Sequence, residues 1–429
     1  MLKTVLRSSF FRGSVLVTFS TFIVSFLNYL FNLIISRGIS LASYGEFFSA
    51  ISYINLLTIP FSAFGTILIR KMGGLDAVYR NEYAHNLEKW LYAKLFRLSP
   101  LLLIIGTILF FFLVRSSNLQ VMSVVFILFS TVFYLLQTFY LSTLQAYQSF
   151  VLFGVLIISA TLLKVAGGFG VVTFRPDLLF IYGVIVGVTL FQLMVGHLLI
   201  NRKPLVTSRK LQFLRLHSYF FRRTTLIPLL TTLGFIGLAN LDVIIVKKFM
   251  SPDDAGLYGA MILLSKIIFF VTAPIASVGY IYFTGKEHKH RAHLLLIGIT
   301  ALIACIGLGA TLFYHFFGKF TVNFFFDQRY AALYGILWLG GIYGTLYSLI
   351  SLYSQFFIAK NSLVSLFALF TLLLQVVTLT LYHRSLEQVM MVNVVLASLL
   401  LAAYIVVYIY HQYGQKRNDT SNTKLRALS

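Results

Sequence analysis

Runs of about 20 mostly apolar residues, the length a helix needs to cross a bilayer, recur from one end of this chain to the other. Twelve can be marked off, at roughly 14–36, 45–69, 99–114, 119–141, 150–172, 178–200, 224–246, 257–283, 294–317, 330–358, 362–382 and 387–410. The connections between them are too short for a sizeable water-soluble domain. Charged residues make up 11 % of the 429 positions and hydrophobic ones 59 %, where an ordinary soluble domain carries about 25 % charge. The expected fold is an all-α integral membrane protein with about twelve transmembrane helices. The first run is too long for a signal-peptide core and lacks a clear small-residue cleavage site, which makes it a retained helix. The segment after Tyr410 is polar and basic (Gln415-Lys416-Arg417-Asn418-Asp419) and is expected to lack structure.

The net charge is +22, from 34 Lys and Arg against 12 Asp and Glu. Such a balance usually points to nucleic acid, which the hydropathy excludes. With a cytoplasmic N-terminus, the termini and the loops on that side hold 24 of the 34 basic residues, the opposite loops 8 and the spans 2. The largest contributions come from segments 70–98 and 201–223. This bias fits an even number of spans with both termini in the cytoplasm of an inner-membrane protein. The basic loops then set topology and attract anionic lipid headgroups. The single cysteine, Cys305, lies inside an apolar run, so there is neither a disulfide framework nor a thiol metal site.

The chain repeats itself. Thr58-Ile-Pro60-Phe-Ser-Ala-Phe-Gly65 in the second span answers Thr272-Ala-Pro274-Ile-Ala-Ser-Val-Gly279 in the eighth. The turn Ser40-Leu-Ala-Ser-Tyr-Gly45 answers Ser251-Pro-Asp-Asp-Ala-Gly256, Asn28 answers Asn240, and Ala146-Tyr-Gln-Ser149 answers Ala359-Lys-Asn-Ser362. The four offsets agree within three residues and span six helices. Six is even, so the halves are parallel repeats related by an axis along the membrane normal, an arrangement that places substrate between halves that rock against each other. The expected organisation is a six-helix bundle over 1–200, a basic cytoplasmic linker over 201–223, a second bundle over 224–410 and a basic cytoplasmic tail over 411–429. Pro60 and Pro274 each remove a helical N–H near mid-span and favour a kink. With Gly65 and Gly279 they are hinge candidates, the alternative being that they merely shape packing.

An ionisable side chain inside a span is costly and marks function by default. Lys164 in the fifth span and Lys266 in the eighth each lie roughly 13 Å from the outer end at 1.5 Å per residue, too deep to snorkel easily. They are expected to face an anion in one central cavity, the alternative being hydrogen bonds to helix carbonyls. Arg12 and Arg70, at the cytoplasmic ends of the first two spans, are either topological anchors or the mouth of that cavity. Asp242 and Glu46 are candidates for ion coupling, and Asp242 could equally pair with Lys247 or Lys266. Gln137, Gln145 and Gln355 could contact sugar hydroxyls or bond between helices. No phosphate loop, zinc-peptidase motif or other catalytic constellation is present. His288, His290 and His293 lie among Lys286, Lys289 and Arg291, a basic loop rather than a metal site. No metal, cofactor or enzymatic activity is expected.

The turn Ser43-Tyr-Gly-Glu-Phe-Phe48, its echo Ala255-Gly-Leu-Tyr-Gly-Ala260, Asn240-Leu-Asp242 with Ile244-Ile245, Leu144-Gln-Ala-Tyr-Gln-Ser149 and Asp327-Gln-Arg-Tyr330 resemble the polysaccharide exporter branch of the MOP superfamily, the Wzx-type flippases. The resemblance implies export of a polyprenyl-diphosphate-linked oligosaccharide to the outer leaflet for O-antigen, capsule or exopolysaccharide assembly, beside a polysaccharide polymerase and glycosyltransferases. It assigns Lys164 and Lys266 to a cationic cavity. It also implies the absence of the two extra helices of the related lipid II flippase. The rivals are a drug exporter of the same superfamily, which needs buried carboxylates, a membrane polymerase or ligase, which needs a long outer loop, and a scaffold or passive scramblase. The topology is directly testable: reporter fusions at Gly414 and near Arg209 should both read as cytoplasmic, and a periplasmic signal at either contradicts six-helix halves.

Overall fold

The computed structural model describes residues 9–201, 223–284 and 289–426. In chain order its helices are α1 Ser9–Gly38, α2 Leu41–Leu57, α3 Ile59–Gly73, α4 Ala77–Ser116, α5 Val121–Ala146, α6 Phe150–Phe174, α7 Leu178–Asn201, α8 Arg223–Leu238, α9 Leu241–Phe249, α10 Pro252–Thr284, α11 Lys289–Phe316, α12 Gly318–Phe325, α13 Leu337–Ala359, α14 Phe367–Leu381 and α15 Leu386–Arg426. Short 3₁₀ turns occupy Gln328–Leu333 and Leu363–Leu366. Ten spans are long and apolar enough to cross a membrane, with α8 and α9 counted as one, and the bent pair α2–α3 makes an eleventh. α13, 23 residues long, stands outside this count and packs against α10, α11 and α15. Gly340 and Gly344 seat it against Ser265 of α10, and Gly341 against Thr311 of α11, since small residues let membrane helices approach closely.

The two halves pack the same pairs of spans. α1 lies on α6 as α8 lies on α14, α3 on α5 as α10 on α13, and α5 on α7 as α13 on α15. The sequence repeat at Ala146–Ser149 and Ala359–Ser362 is also a repeat of backbone. Gln148 and Asn361 both adopt left-handed conformations, with φ of 57° and 49°. Ser149 N–H then bonds Leu144 O at 3.1 Å, and Ser362 N–H bonds Phe357 O at 3.0 Å. Each is the six-to-one bond that closes a helix after a left-handed residue.

Several elements differ from the sequence expectation. The span placed at 99–114 is the second part of a 40-residue helix, α4. Its first part escapes a hydropathy reading because it is amphipathic: Tyr83, Ala84, Leu87 and Leu91 recur at helical spacing and pack on Phe64, Leu68 and Met72 of α3 and Phe139 and Tyr140 of α5. The tail expected to lack structure continues α15 to Arg426. No proline interrupts it, and Gln, Lys, Arg, Leu and Ala are good helix formers. The two prolines also behave differently. A 45° bend separates α2 from α3, with Pro60 in the first turn of α3. Pro274 lies inside the unbroken α10. Gly65 lets α3 approach Thr138 and Ser142 of α5, and Gly279 makes room for Ile299 of α11.

The repeat-related glycines Gly45 and Gly256 meet at one end of the interface between the halves. A Cβ on Gly45 would lie 2.6 Å from Gly256 N, and one on Gly256 would lie 2.1 Å from Leu41 O. The obstructing atoms are backbone and cannot swing away. Gly256→Leu should therefore lower the melting temperature of the purified protein by an amount corresponding to about 1–3 kcal/mol or more, while Gly106→Leu, with open space around it, should change it little. Equal melting temperatures for the two variants would contradict the backbone contact.

Candidate functional site

The span α8–α9 is broken at Ala239 and Asn240, which leaves main-chain carbonyls without helical donors. Inside a membrane each needs another partner. Tyr343 of α13 donates its hydroxyl to Leu238 O at 2.8 Å, and Gln375 of α14 donates to the same oxygen at 3.0 Å. Lys266 of α10 donates to Ala239 O at 3.3 Å. Across the interface, Asn55 of α2 donates its amide to Asn240 Oδ1 at 3.0 Å. Asn55 lies just before the bend at Thr58. The broken spans of the two halves thus meet through one amide pair.

Beside that pair lies a cavity of about 280 Å³, lined by Asn55, Thr58, Ser62, Asn240, Lys266 and Tyr347 among others. Lys266 is in no ion pair among the described residues. Its ammonium carries three donors, and its Nζ stands 5.5 Å from the Phe48 ring centre, within cation–π range. A second cavity of about 470 Å³ adjoins the first at Ser62 and runs between α3 and α8, with Thr66, Arg70, Thr225, Thr232 and Asn361 on its walls. Ser62, Thr66 and Arg70 are exposed there. No carboxylate lines either cavity among the described residues.

At the other end the halves are sealed. Glu46 of α2 and Lys247 of α9 form a buried ion pair at 2.8 Å, and Glu46 also accepts Gln120 N–H at 2.6 Å. Asn118 bonds Lys248 O at 2.7 Å. Around this pair, arginines are exchanged between halves. Arg329 donates to Ile39 O at 2.7 Å and Arg37 O at 2.8 Å, capping α1. Arg37 donates in return to Phe325 O at 3.1 Å and to Phe324 O, capping α12. Tyr330 adds a bond to Ser36 O at 3.0 Å. Partial burial pushes the Asp327 carboxyl up, but hydrogen bonds and charge from Arg329, with Arg37 beyond, outweigh it and hold the carboxyl below its ordinary value.

The remaining sequence candidates are scattered. Lys164 is absent from both linings: it donates to Asn28 Oδ1 at 2.9 Å and sits 4.4 Å from the Phe31 ring centre, in the seam between α1 and α6. The two lysines therefore share neither of these two cavities. A lysine's depth along a span does not say which face of the helix carries it. Asp242 pairs with neither Lys247 nor Lys266. It accepts Tyr258 O–H at 2.7 Å, Val243 N–H at 2.8 Å and Asn393 at 3.2 Å, and Gln375 bonds Asn393 at 2.8 Å. Gln375 Oε1 is buried with no hydrogen-bond partner. Gln137 donates to Gln192 within the first half, Gln355 donates to Ser351 at 3.2 Å, and Gln145 lines a separate crevice with Val17 and Gly73. The Arg12 side chain and His288 lie outside the described residues. Sequence reading missed Asn55, Gln375, Asn393 and the hydroxyls of α3; only Asn240 carried a signal, as a repeat match. It also missed Glu88, buried on α4 and bonded by Tyr140 at 2.7 Å and by His197 at 2.8 Å.

No protein-family model matches the sequence, and no curated protein sequence matches it. Solved structures do. An inward-facing multidrug-resistance MATE transporter of the MOP superfamily superposes with a TM-score of 0.65 at 15 % identity, over 92 % of this chain and 96 % of that one. The lipid II flippase MurJ, in an inward closed conformation, gives 0.67 at 12 % identity, over 92 % and 87 %. A MOP-superfamily transporter from Pyrococcus furiosus, described as having a binding pocket of reversed polarity, gives 0.58 at 14 % identity, over 95 % and 96 %. The fold is that of the MOP transporters.

The sealed end has a direct test. Glu46→Gln leaves Lys247 buried without its counter-charge, which costs about 3–5 kcal/mol in comparable pairs. The variant should expose a cysteine placed at Ser49, buried in the parent, to a membrane-impermeant thiol reagent. Labelling no faster than in the Glu46 parent carrying the same cysteine would mean that the pair does not hold the halves together.

Proposed function

We propose that the protein is a flippase that moves a polyprenyl-diphosphate-linked oligosaccharide from the cytoplasmic to the outer leaflet by alternating access, for assembly of a surface polysaccharide. The observation that carries this reading is the interfacial recess with Lys266 and Arg70 on its walls and no carboxylate among its lining residues. Fixed cations in a site shielded from water attract a diphosphate far more strongly than they would in bulk solvent, while the polyprenyl tail stays in lipid. A drug exporter for organic cations would require the opposite sign.

The termini and the basic loops face the cytoplasm, so the open end receives cargo from inside and the sealed end is the outer gate. The halves 1–200 and 224–410 rock as bodies about the 201–223 linker, with the bend at Thr58 and Pro60 as one joint; Pro274, Gly65 and Gly279 serve packing. Glu46 belongs to the gate rather than to coupling. Asp242, buried and hydrogen-bonded by the uncharged Tyr258 and Asn393, with the Lys266 charge felt from across the recess wall and the open acceptor of Gln375 nearby, is the coupling site, where a bound cation or proton would neutralise it. Of the original cavity cations, Lys266 and Arg70 bind cargo and Lys164 orders the α1–α6 seam. A polysaccharide polymerase and glycosyltransferases are the functional neighbours.

Complementation in a strain lacking its own flippase tests the reading, with membrane levels checked by blotting. Lys266→Ala should reduce surface polysaccharide by at least tenfold. Lys266→Arg should keep part of the activity, since charge persists while donor geometry changes. Lys266→Glu, a like charge beside the diphosphate, should be the worst. Normal export by the alanine and glutamate variants would sink the cationic-recess mechanism.

A further inference from the structure

Four side chains on one face of the second span lie at successive intervals of four residues: Thr58 at the bend, then Ser62, Thr66 and Arg70 on α3. Four residues is close to one helical turn, so they form a single stripe, about 18 Å long at 1.5 Å per residue. All four line the recess, Thr58 and Ser62 beside Lys266 in the smaller cavity, Ser62, Thr66 and Arg70 in the larger. The stripe faces the recess because the opposite side of α3, which carries Phe64 and Leu68, is buried against α4 and α5, while Gly65, on the flank beside the stripe, lets α3 close on α5, where a Cβ would meet Ser142 Oγ at 2.6 Å. It begins next to one cation and ends on another.

The direction of the hydroxyl hydrogen bonds gives the stripe its chemistry. Thr58 donates to Ile54 O at 2.8 Å, Ser62 to Ile59 O at 2.7 Å and Thr66 to Ser62 O at 3.1 Å. Each hydroxyl has one proton, already given to the helix, and two lone pairs. What it turns to the recess is therefore an acceptor. A row of acceptors is a poor site for phosphate, which brings only acceptors of its own. It suits a partner rich in O–H donors. Amides at the inner end (Asn55 and Asn240) and the threonines of α8 across the recess (Thr225 and Thr232) extend the same polar, uncharged lining.

We infer that the Ser62–Thr66 segment of α3 is the sugar-reading element of the recess: it accepts hydrogen bonds from the neutral, hydroxylated part of the cargo, while Lys266 and Arg70 at its ends take the phosphates. This rests on the lipid-linked oligosaccharide reading above and divides that cargo into two recognised parts. Ser62 and Thr66 are specificity residues, separable from the cations that supply most of the affinity.

The test compares two probes of equal charge on the purified full-length protein: geranyl diphosphate capped as the methyl ester of its terminal phosphate, and geranyl diphosphate with a neutral disaccharide on that phosphate. Two accepted hydrogen bonds at about 0.5–1.5 kcal/mol each should make the wild-type protein bind the glycosylated probe about tenfold more tightly than the methyl-capped one. Thr66→Val should reduce that preference to about threefold, and Ser62→Ala with Thr66→Val should abolish it while leaving affinity for the methyl-capped probe within about twofold of wild type. Thr66→Ser restores the acceptor and should keep the preference, which a purely structural role for the threonine methyl would not. Lys266→Ala should weaken both probes in parallel. The inference is overturned if the wild type binds the two probes equally, or if the monodisperse double variant keeps its preference. If the wild type binds neither probe, the lipid-linked cargo is itself wrong, and that outcome is distinct from either of these.

Discussion

A carbonyl released from its helix inside a membrane must find a donor within the protein, and this requirement organises the centre of the molecule. The α8–α9 span stops being a helix at Ala239 and Asn240. Tyr343, Gln375 and Lys266 supply donors to the freed carbonyls, and Asn55 bonds Asn240 from the other half. α13, α14, α10 and α2 are each tied to the break by a specific side chain. Lys266 therefore has two roles. It satisfies Ala239 O and presents its remaining donors to the recess. Its replacement by alanine removes a charge and a main-chain partner together, which is why the arginine variant is the informative control.

Charge is handled in opposite ways at the two ends of the interface. Where the halves touch, the ions are matched: Glu46 with Lys247 in a buried pair, Asp327 with Arg329 nearer the surface. Where they part, Lys266 and Arg70 line open space without a counter-ion in the lining. A buried matched pair is weak evidence for stability but strongly resists losing one member. An unmatched cation beside a cavity remains available to an anion that arrives from outside.

The all-helical membrane fold was readable because lipid imposes long apolar runs, and the turn at Ala146–Ser149 could be matched to Ala359–Ser362 because the motif keeps its spacing in both places. Its backbone logic, a left-handed residue at Gln148 and again at Asn361, was present in the sequence as a repeat without a mechanism. Lys266 stood out as a charge in an apolar run. Lys164 gave the same signal and went elsewhere, because hydropathy reports depth along a helix and not the face that meets a neighbour. The hydroxyls of α3 carried no signal, since serine and threonine are common in membrane helices and become a stripe only once the burial of Phe64 and Leu68 fixes which side of α3 is packed. The Glu46–Lys247 pair joins residues about two hundred positions apart, beyond the reach of any local pattern.

The exchange of arginines at the sealed end sets an order of events. The carbonyls capped by Arg37 and Arg329 lie at an exposed rim, where water can replace each guanidinium donor as it leaves. Glu46 and Lys247 have no such substitute while they are buried. On the proposed alternating-access reading, separation proceeds by wetting from the rim inward. The arginine caps are lost first and at little cost, and the ion pair yields last, when the advancing water can hydrate both of its charges. On the same reading, opening must overcome that buried ion pair together with the apolar contacts packed in the same cluster, such as Tyr44 and Phe47 with Tyr258 and Tyr330, and the surrounding caps govern how often water reaches them.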